Sequence, residues 1–250
     1  MTRYAITLEY VGKKYSGSQI QGVNDKNEPK NKTIQSELNI ALYKLFNTKI
    51  KTIFSGRTDR GVNAKGQVVH FDTDKTIVAS RIINSLNGVL PSDISVSDLK
   101  EVSNDFHAQK SAKKRHYQYV FKNRKLRSAF DDDLKLVKWD LDIQRMQKTL
   151  DYLVGEHDFS SFRKASSAVK NTICFIYNAS CKKLDDTVVI DIVGNRFLHN
   201  MVRTIVGTLL LIEQNNLPSE FIKEVLDCKD RAKAGKTVNP YGLTLMKVEY

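Results

Sequence analysis

Cysteine is scarce in this sequence of 250 residues, and Cys174, Cys181 and Cys228 are odd in number, with none of the short paired spacing of metal sites. That excludes a disulfide framework and a zinc site, and free buried thiols are the expectation. Long apolar runs are missing too. The most apolar stretch, Met201 to Ile212, is too short to cross a bilayer and carries Arg203, so it predicts a core helix. No secretory leader precedes the first strand pattern, and no amphipathic basic helix or polybasic tail stands apart from the folded pattern. A cytoplasmic protein without membrane attachment is therefore expected. Acidic residues are in deficit, with 28 Asp and Glu facing 40 Lys and Arg for a formal charge of +12. Such an excess points to a polyanionic partner, and nucleic acid is the first candidate.

What is present is enough apolar residue, 41% of the chain, to build one large domain or two small ones with their own cores. Arg3 to Tyr10 alternates, with Tyr4, Ile6, Leu8 and Tyr10 on one face. Residues 11 to 32 are polar and glycine-rich and predict a mobile functional segment crossing the surface. Ile34, Leu38, Ala41, Leu42, Leu45 and Phe46 then recur at helical spacing behind Thr33 as N-cap. A hairpin follows, then a helix from about Thr76 to Asn87 and a strand from Ile94 to Val102, giving β-α-β-β-α-β. The order starts again with a strand at Arg115 to Phe121 and a helix through Ile143, Met146, Leu150 and Leu153. Strands near Ile173 to Cys181 and Val188 to Val193, a long helix from about Arg196 to Gln214, an added helix Ser219 to Asp227 and a last strand Leu243 to Tyr250 complete it. The prediction is an α+β fold of two pseudo-equivalent halves, 1–105 and 106–250, sharing one mostly antiparallel sheet.

The chemistry is expected in Ser55-Gly56-Arg57-Thr58-Asp59-Arg60-Gly61-Val62-Asn63-Ala64, where one carboxylate stands between two guanidinium groups in a glycine-bounded turn. Strand patterns at Ile50 to Phe54 and Gly66 to Phe71 make this a hairpin loop on a rigid support. Asp59 is read as the reactive group; the bland alternative is an ordinary solvated turn. Arg203, on an otherwise apolar helix, needs a partner, because an unpaired guanidinium there is costly, unless it reaches solvent along its stem. His157 and Asp158 are adjacent on a strand, point to opposite faces and lack a third ligand, so they are read as structural, as is His107.

Gly56 to Ala64 with Gln67-Val68 resembles the signature of the TruA family of bacterial tRNA pseudouridine synthases. Further stretches recur in that family's order: Tyr10-Val11-Gly12 through Gln21, Thr33-Ile34-Gln35, Leu90-Pro91 with Asp93-Ile94, Phe106-His107-Ala108, Gly155 to Phe159, Phe197 to Gly207, and Tyr241-Gly242-Leu243. The resemblance implies two ferredoxin-like halves around a central sheet, with a basic cleft between them. It implies Asp59 as nucleophile, Arg57 as the arginine two residues before it, Tyr117 packed on the target base, and Arg203 as counter-charge to Asp59. Arg60, Gln67 and Leu243 are implied at the substrate. A basic tract holding Lys113, Lys114 and Arg115 is expected to meet phosphates. The implied substrate is uridine at positions 38, 39 and 40 of the tRNA anticodon stem-loop, converted without metal or small-molecule cofactor by a homodimer.

Ser18, Asn63 and Gln109 depart from the family pattern, which carries Trp, His and Arg there, and Cys174 replaces a basic residue; these departures are expected to bear on RNA contacts. Two rival readings accompany the enzyme: an inactive RNA chaperone of the same fold, and the same chemistry on another RNA.

Overall fold

The computed structural model describes residues 1–22, 29–166 and 169–250. The chain divides into two compact units, Met1–Lys113 with Thr244–Tyr250, and Lys114–Leu243. The expected boundary at 105 thus moves to the start of a strand at Lys114, and Thr244–Tyr250 belongs with the first unit.

In the first unit β1 (Thr2–Tyr10) is central, because alternation leaves Tyr4, Ile6, Leu8 and Tyr10 all buried. Helix α1 (Ile34–Phe46) buries Ile34, Leu38, Leu42 and Phe46 along one stripe and is capped reciprocally by Thr33 and Ser36. The short β2 (Ile53–Phe54) pairs antiparallel with β3 (Asn63–Thr73), which pairs antiparallel with β1. Helix α2 (Ala79–Val89) leads to β4 (Ile94–Val102), antiparallel on the other edge of β1. This helix starts later than Thr76: the Thr73 hydroxyl accepts the Lys75 N–H at 3.1 Å, which holds a turn, and Val78 is still extended.

In the second unit β5 (Lys114–Asn123) pairs parallel with the short β6 (Lys135–Val137), which the periodicity did not reveal. Helix α3 (Ile143–Asp151) follows, then β7 (Gly155–Asp158), β8 (Ile173–Leu184) and β9 (Thr187–Gly194), giving the antiparallel order β5-β9-β8-β7. Helix α4 (Met201–Gln214) begins five residues later than expected, because Asn200 at φ 66° is left-handed and cannot continue a right-handed helix backwards. Helix α5 (Phe221–Asp227) precedes β10 (Leu243–Glu249), which joins β3 in parallel through Thr244 and Leu245. The fold class is α+β; among the described residues the pairings within each unit are antiparallel except at β5–β6 and β3–β10.

Residues 11 to 20 do not simply cross the surface. Tyr15 and Ser18 are buried, and Gly12 lies so close to Val62 that a Cβ there would stand 2.1 Å from the Val62 carbonyl oxygen. Residues 23–28 of that expected segment lie outside the described residues. Cys174 and Cys181 are buried and free, as expected, whereas Cys228 is exposed. Burial pushes the Cys174 thiol up to about 11 and that of Cys181 to about 12.

One buried group is expected to make the first unit sensitive to acid. The His70 Nδ1 accepts the Ala108 N–H at 3.1 Å, so it is unprotonated there, and burial followed by the charge of Arg3 lowers its pKa from 6.5 to about 4. A depressed folded value means the unfolded chain takes up the proton first, so stability is full above 6.5 and falls as pH drops toward 4, by up to about 3 kcal/mol. In His70→Gln, which keeps an acceptor for Ala108, urea-unfolding midpoints should lose that slope within this window. An unchanged slope would assign it elsewhere.

Candidate active site

The 55–62 segment is the loop of the β2–β3 hairpin, as expected, although β2 is shorter and β3 begins earlier, at Asn63. The loop closes with the Val62 N–H on the Asp59 carbonyl at 3.1 Å, and Gly61 takes φ 80° within that turn, a value that disfavours side chains. Arg57 and Arg60 are exposed, Asp59 is half-buried, and Thr58 between them is buried. A single hairpin thus brings together the carboxylate, both guanidinium groups and Gln67.

Beneath the loop the polar groups are satisfied from buried side chains. Gln67 is fully buried: its Oε1 accepts the Ser55 hydroxyl at 2.6 Å, and its Nε2 donates to the Gly56 carbonyl at 3.0 Å and the Tyr10 hydroxyl at 3.3 Å. Its amide therefore supports the loop from below. Ser18 Oγ accepts the Thr58 N–H at 2.8 Å, and the Ser18 N–H donates to the Thr58 carbonyl at 3.1 Å. Asn63 Oδ1 accepts the Gly12 N–H at 2.9 Å. Two of the positions that depart from the family pattern thus bond to the protein's own backbone around the loop. These partners were not legible in the sequence, because periodicity carries no sign of a hydrogen bond across 40 residues.

In the second unit Tyr117, on β5, is buried to 8% exposure, with its ring edge-on to Phe197 at 5.1 Å. Arg203, in the first turn of α4, is half-buried; its Nε donates to the Val238 carbonyl at 2.8 Å and its Nη1 to Asn200 Oδ1 at 3.2 Å. Part of the guanidinium is thus satisfied by the protein, a partner set that the sequence did not reveal. Phe197 and Asn200 both lie in the short connection between β9 and α4, so one connection meets both Tyr117 and Arg203. The extension of α4 back to Arg196 hid that turn; the signal for it is Asn200, a residue that tolerates a left-handed backbone.

Leu243 is buried at the start of β10. Lys113 is exposed, Lys114 Nζ sits 4.8 Å from the centre of the Tyr177 ring, and Arg115 Nη1 donates to the Asn195 carbonyl at 2.7 Å. His107 Nδ1 accepts the N–H groups of Gln109 and Lys110, and His157 faces the Val154 carbonyl, consistent with structural roles. Among the described residues no three His, Cys, Asp or Glu side chains are grouped to hold a metal ion, and no helix is long and apolar enough to cross a membrane.

Comparison with known proteins identifies the family. A family model described as tRNA pseudouridine synthase matches residues 6–109 and 150–250. The tRNA pseudouridine synthase A of Colwellia psychrerythraea is 40% identical over 249 residues, which cover 99% of this chain and 93% of that protein. The protein of the same name from Caldicellulosiruptor bescii is 39% identical over 251 residues, covering 100% of each.

Proposed function

Since the chain belongs to the tRNA pseudouridine synthase family and converts uridine to pseudouridine in tRNA, we propose that it acts on positions 38, 39 and 40 of the anticodon stem-loop with Asp59 as nucleophile. The observation that carries this reading is a half-buried carboxylate in a hydrogen-bonded hairpin loop, flanked by two exposed guanidinium groups.

The reaction breaks the bond from uracil N1 to ribose C1′, turns the base and joins C5 to C1′; the hydrogen on C5 leaves as a proton and N1 ends protonated, so the product is an isomer of the substrate. Nothing is oxidised or reduced. A carboxylate suits the step, either by attacking C1′ as glycosidase carboxylates do or by taking a sugar proton to open a glycal route. The target base must leave the helix stack at a cost of a few kcal/mol. Arg57 is proposed to occupy the space it leaves, and Tyr117 to hold the extruded base. Arg203 is proposed to keep the reacting carboxylate charged and oriented, with Leu243 against the uracil. Gln67 is assigned to support of the loop. Arg60 and the Lys113, Lys114 and Arg115 cluster supply phosphate contacts, which give affinity without selecting a uridine. A homodimer in the cytoplasm completes the proposal.

Release of tritium from C5-labelled uridine in a tRNA transcript tests it, because release reports the isomerisation independently of binding. The expected result is release confined to the anticodon arm. Tight binding with no release would favour the chaperone reading, and equal release from unrelated RNA would reject the proposed substrate.

A further inference from the structure

The buried polar groups under the Asp59 loop form a connected chain of hydrogen bonds. Gln67 Nε2 has two hydrogens, given to the Gly56 carbonyl and the Tyr10 oxygen. The Tyr10 oxygen is thus an acceptor from Gln67, and it shares a second hydrogen bond with Thr58 Oγ1 at 2.8 Å, in which either hydroxyl can be the donor. Thr58 is meanwhile gripped on both backbone groups by Ser18, through its N–H at 2.8 Å and its carbonyl at 3.1 Å. The residue before the carboxylate is therefore fixed at three points, and Tyr10, Ser18, Thr58 and Gln67 are all at most 4% exposed.

Such a chain is stiffer than a solvated turn, because water cannot replace any member and each buried group would be costly to orphan. Burial pushes the Tyr10 hydroxyl up to about 12, so it remains protonated at working pH and keeps its hydrogen bond to Thr58.

We propose that Tyr10 and Thr58 are positioning residues for the reaction, the Tyr10 hydroxyl setting the Thr58 side chain and through it the direction of the Asp59 carboxylate. This rests on Asp59 as the reacting group. Neither residue touches the substrate; both act by holding the adjacent carboxylate at attacking distance, where a displacement of about 1 Å is worth up to about a hundredfold in rate.

Four variants of the full chain test it: Tyr10→Phe, Thr58→Val, Thr58→Ser and the double Tyr10→Phe/Thr58→Val. Each is measured for single-turnover tritium release, for tRNA affinity and for thermal midpoint. Tyr10→Phe and Thr58→Val are expected to slow release by about tenfold to a hundredfold while tRNA affinity stays within about twofold. Thr58→Ser keeps the hydroxyl and should run near the parent rate, and the double variant should be no slower than the slower single, because both remove one hydrogen bond. A packing role for Thr58 predicts the reverse order, with Thr58→Val normal and Thr58→Ser slow, and that order overturns the inference. So does a rate loss matched by an equal loss of affinity. If Tyr10→Phe fails to fold, the two Thr58 variants decide between the outcomes. A parent protein that releases no tritium rejects the function of Asp59 itself, which distinguishes that failure from one confined to Tyr10 and Thr58.

Discussion

Asp59→Asn is expected to fold, bind tRNA as the parent does and release essentially no tritium. The amide has the shape of the carboxylate, and the loop around it is held by groups that the exchange leaves alone: the Val62 N–H on the Asp59 carbonyl, the Ser18 contacts to Thr58 and the Gln67 contacts to Ser55 and Gly56. Side-chain exchange at a half-exposed site changes stability by only about 0.5 kcal/mol. What disappears is the negative oxygen that can bond to carbon or take a proton. Loss of a covalent nucleophile costs about 10⁴-fold or more in turnover. Filter binding, the thermal midpoint and tritium release together separate these effects. Release within tenfold of the parent would move the chemistry away from Asp59.

The largest stability loss is expected at Arg145→Met. Glu213 on α4 has a fully buried side chain, yet both oxygens are occupied: Arg145 Nε reaches Oε1 at 2.7 Å, Arg145 Nη2 reaches Oε2 at 2.9 Å, and the Asp142 N–H reaches Oε2 at 2.8 Å. This fork clips the first turn of α3 to the last turn of α4, and Arg145 also donates to Asn216 just beyond α4. Methionine keeps most of the stem volume and removes the charge, leaving a buried carboxylate with a single backbone donor. Breaking a buried pair from one side costs about 3 to 5 kcal/mol, whereas replacing both partners by apolar groups is often near neutral. The urea midpoint should therefore fall sharply in Arg145→Met and recover most of the way in Arg145→Met/Glu213→Leu. Equal midpoints for the single variant and the parent would show that the fork contributes nothing net.

How much of this was legible in the sequence depended on the range of the interaction that decided it. Thr33 as a cap, the stripe from Ile34 to Phe46 and the alternation of β1 rest on neighbours a few residues apart, and pattern reading found them. The hairpin carrying Asp59 was legible from its glycines and flanking β-branched runs. The late start of α4 was not, because the apolar pattern runs on through Phe197 and Leu198 and only the left-handed Asn200 breaks it. The three-residue β6 is too short to show a period. The residues that hold the candidate groups were hardest of all: Ser18 lies 40 positions from Thr58, Gln67 lies 57 from Tyr10, and Val238 lies 35 from Arg203. Contacts of that span are written in no local pattern, and Ser18 and Asn63 read as departures from a motif until their partners were visible.

The parallel pairing of Thr244 and Leu245 with Asn63 and Ala64 sets a timetable for synthesis. A ribosome delivers residues 1–113 first, and the 130 residues 114–243 must follow before the remaining strand of the first unit emerges. At bacterial rates of about 5 to 20 residues per second that delay is roughly ten seconds. Throughout it β3 offers unpaired backbone groups along the edge that β10 will take, beginning at the residue where the Asp59 loop ends. A nascent chain can therefore acquire most of its first core early, yet the strand that anchors the exit of its Asp59 loop arrives only after the whole second unit has been made.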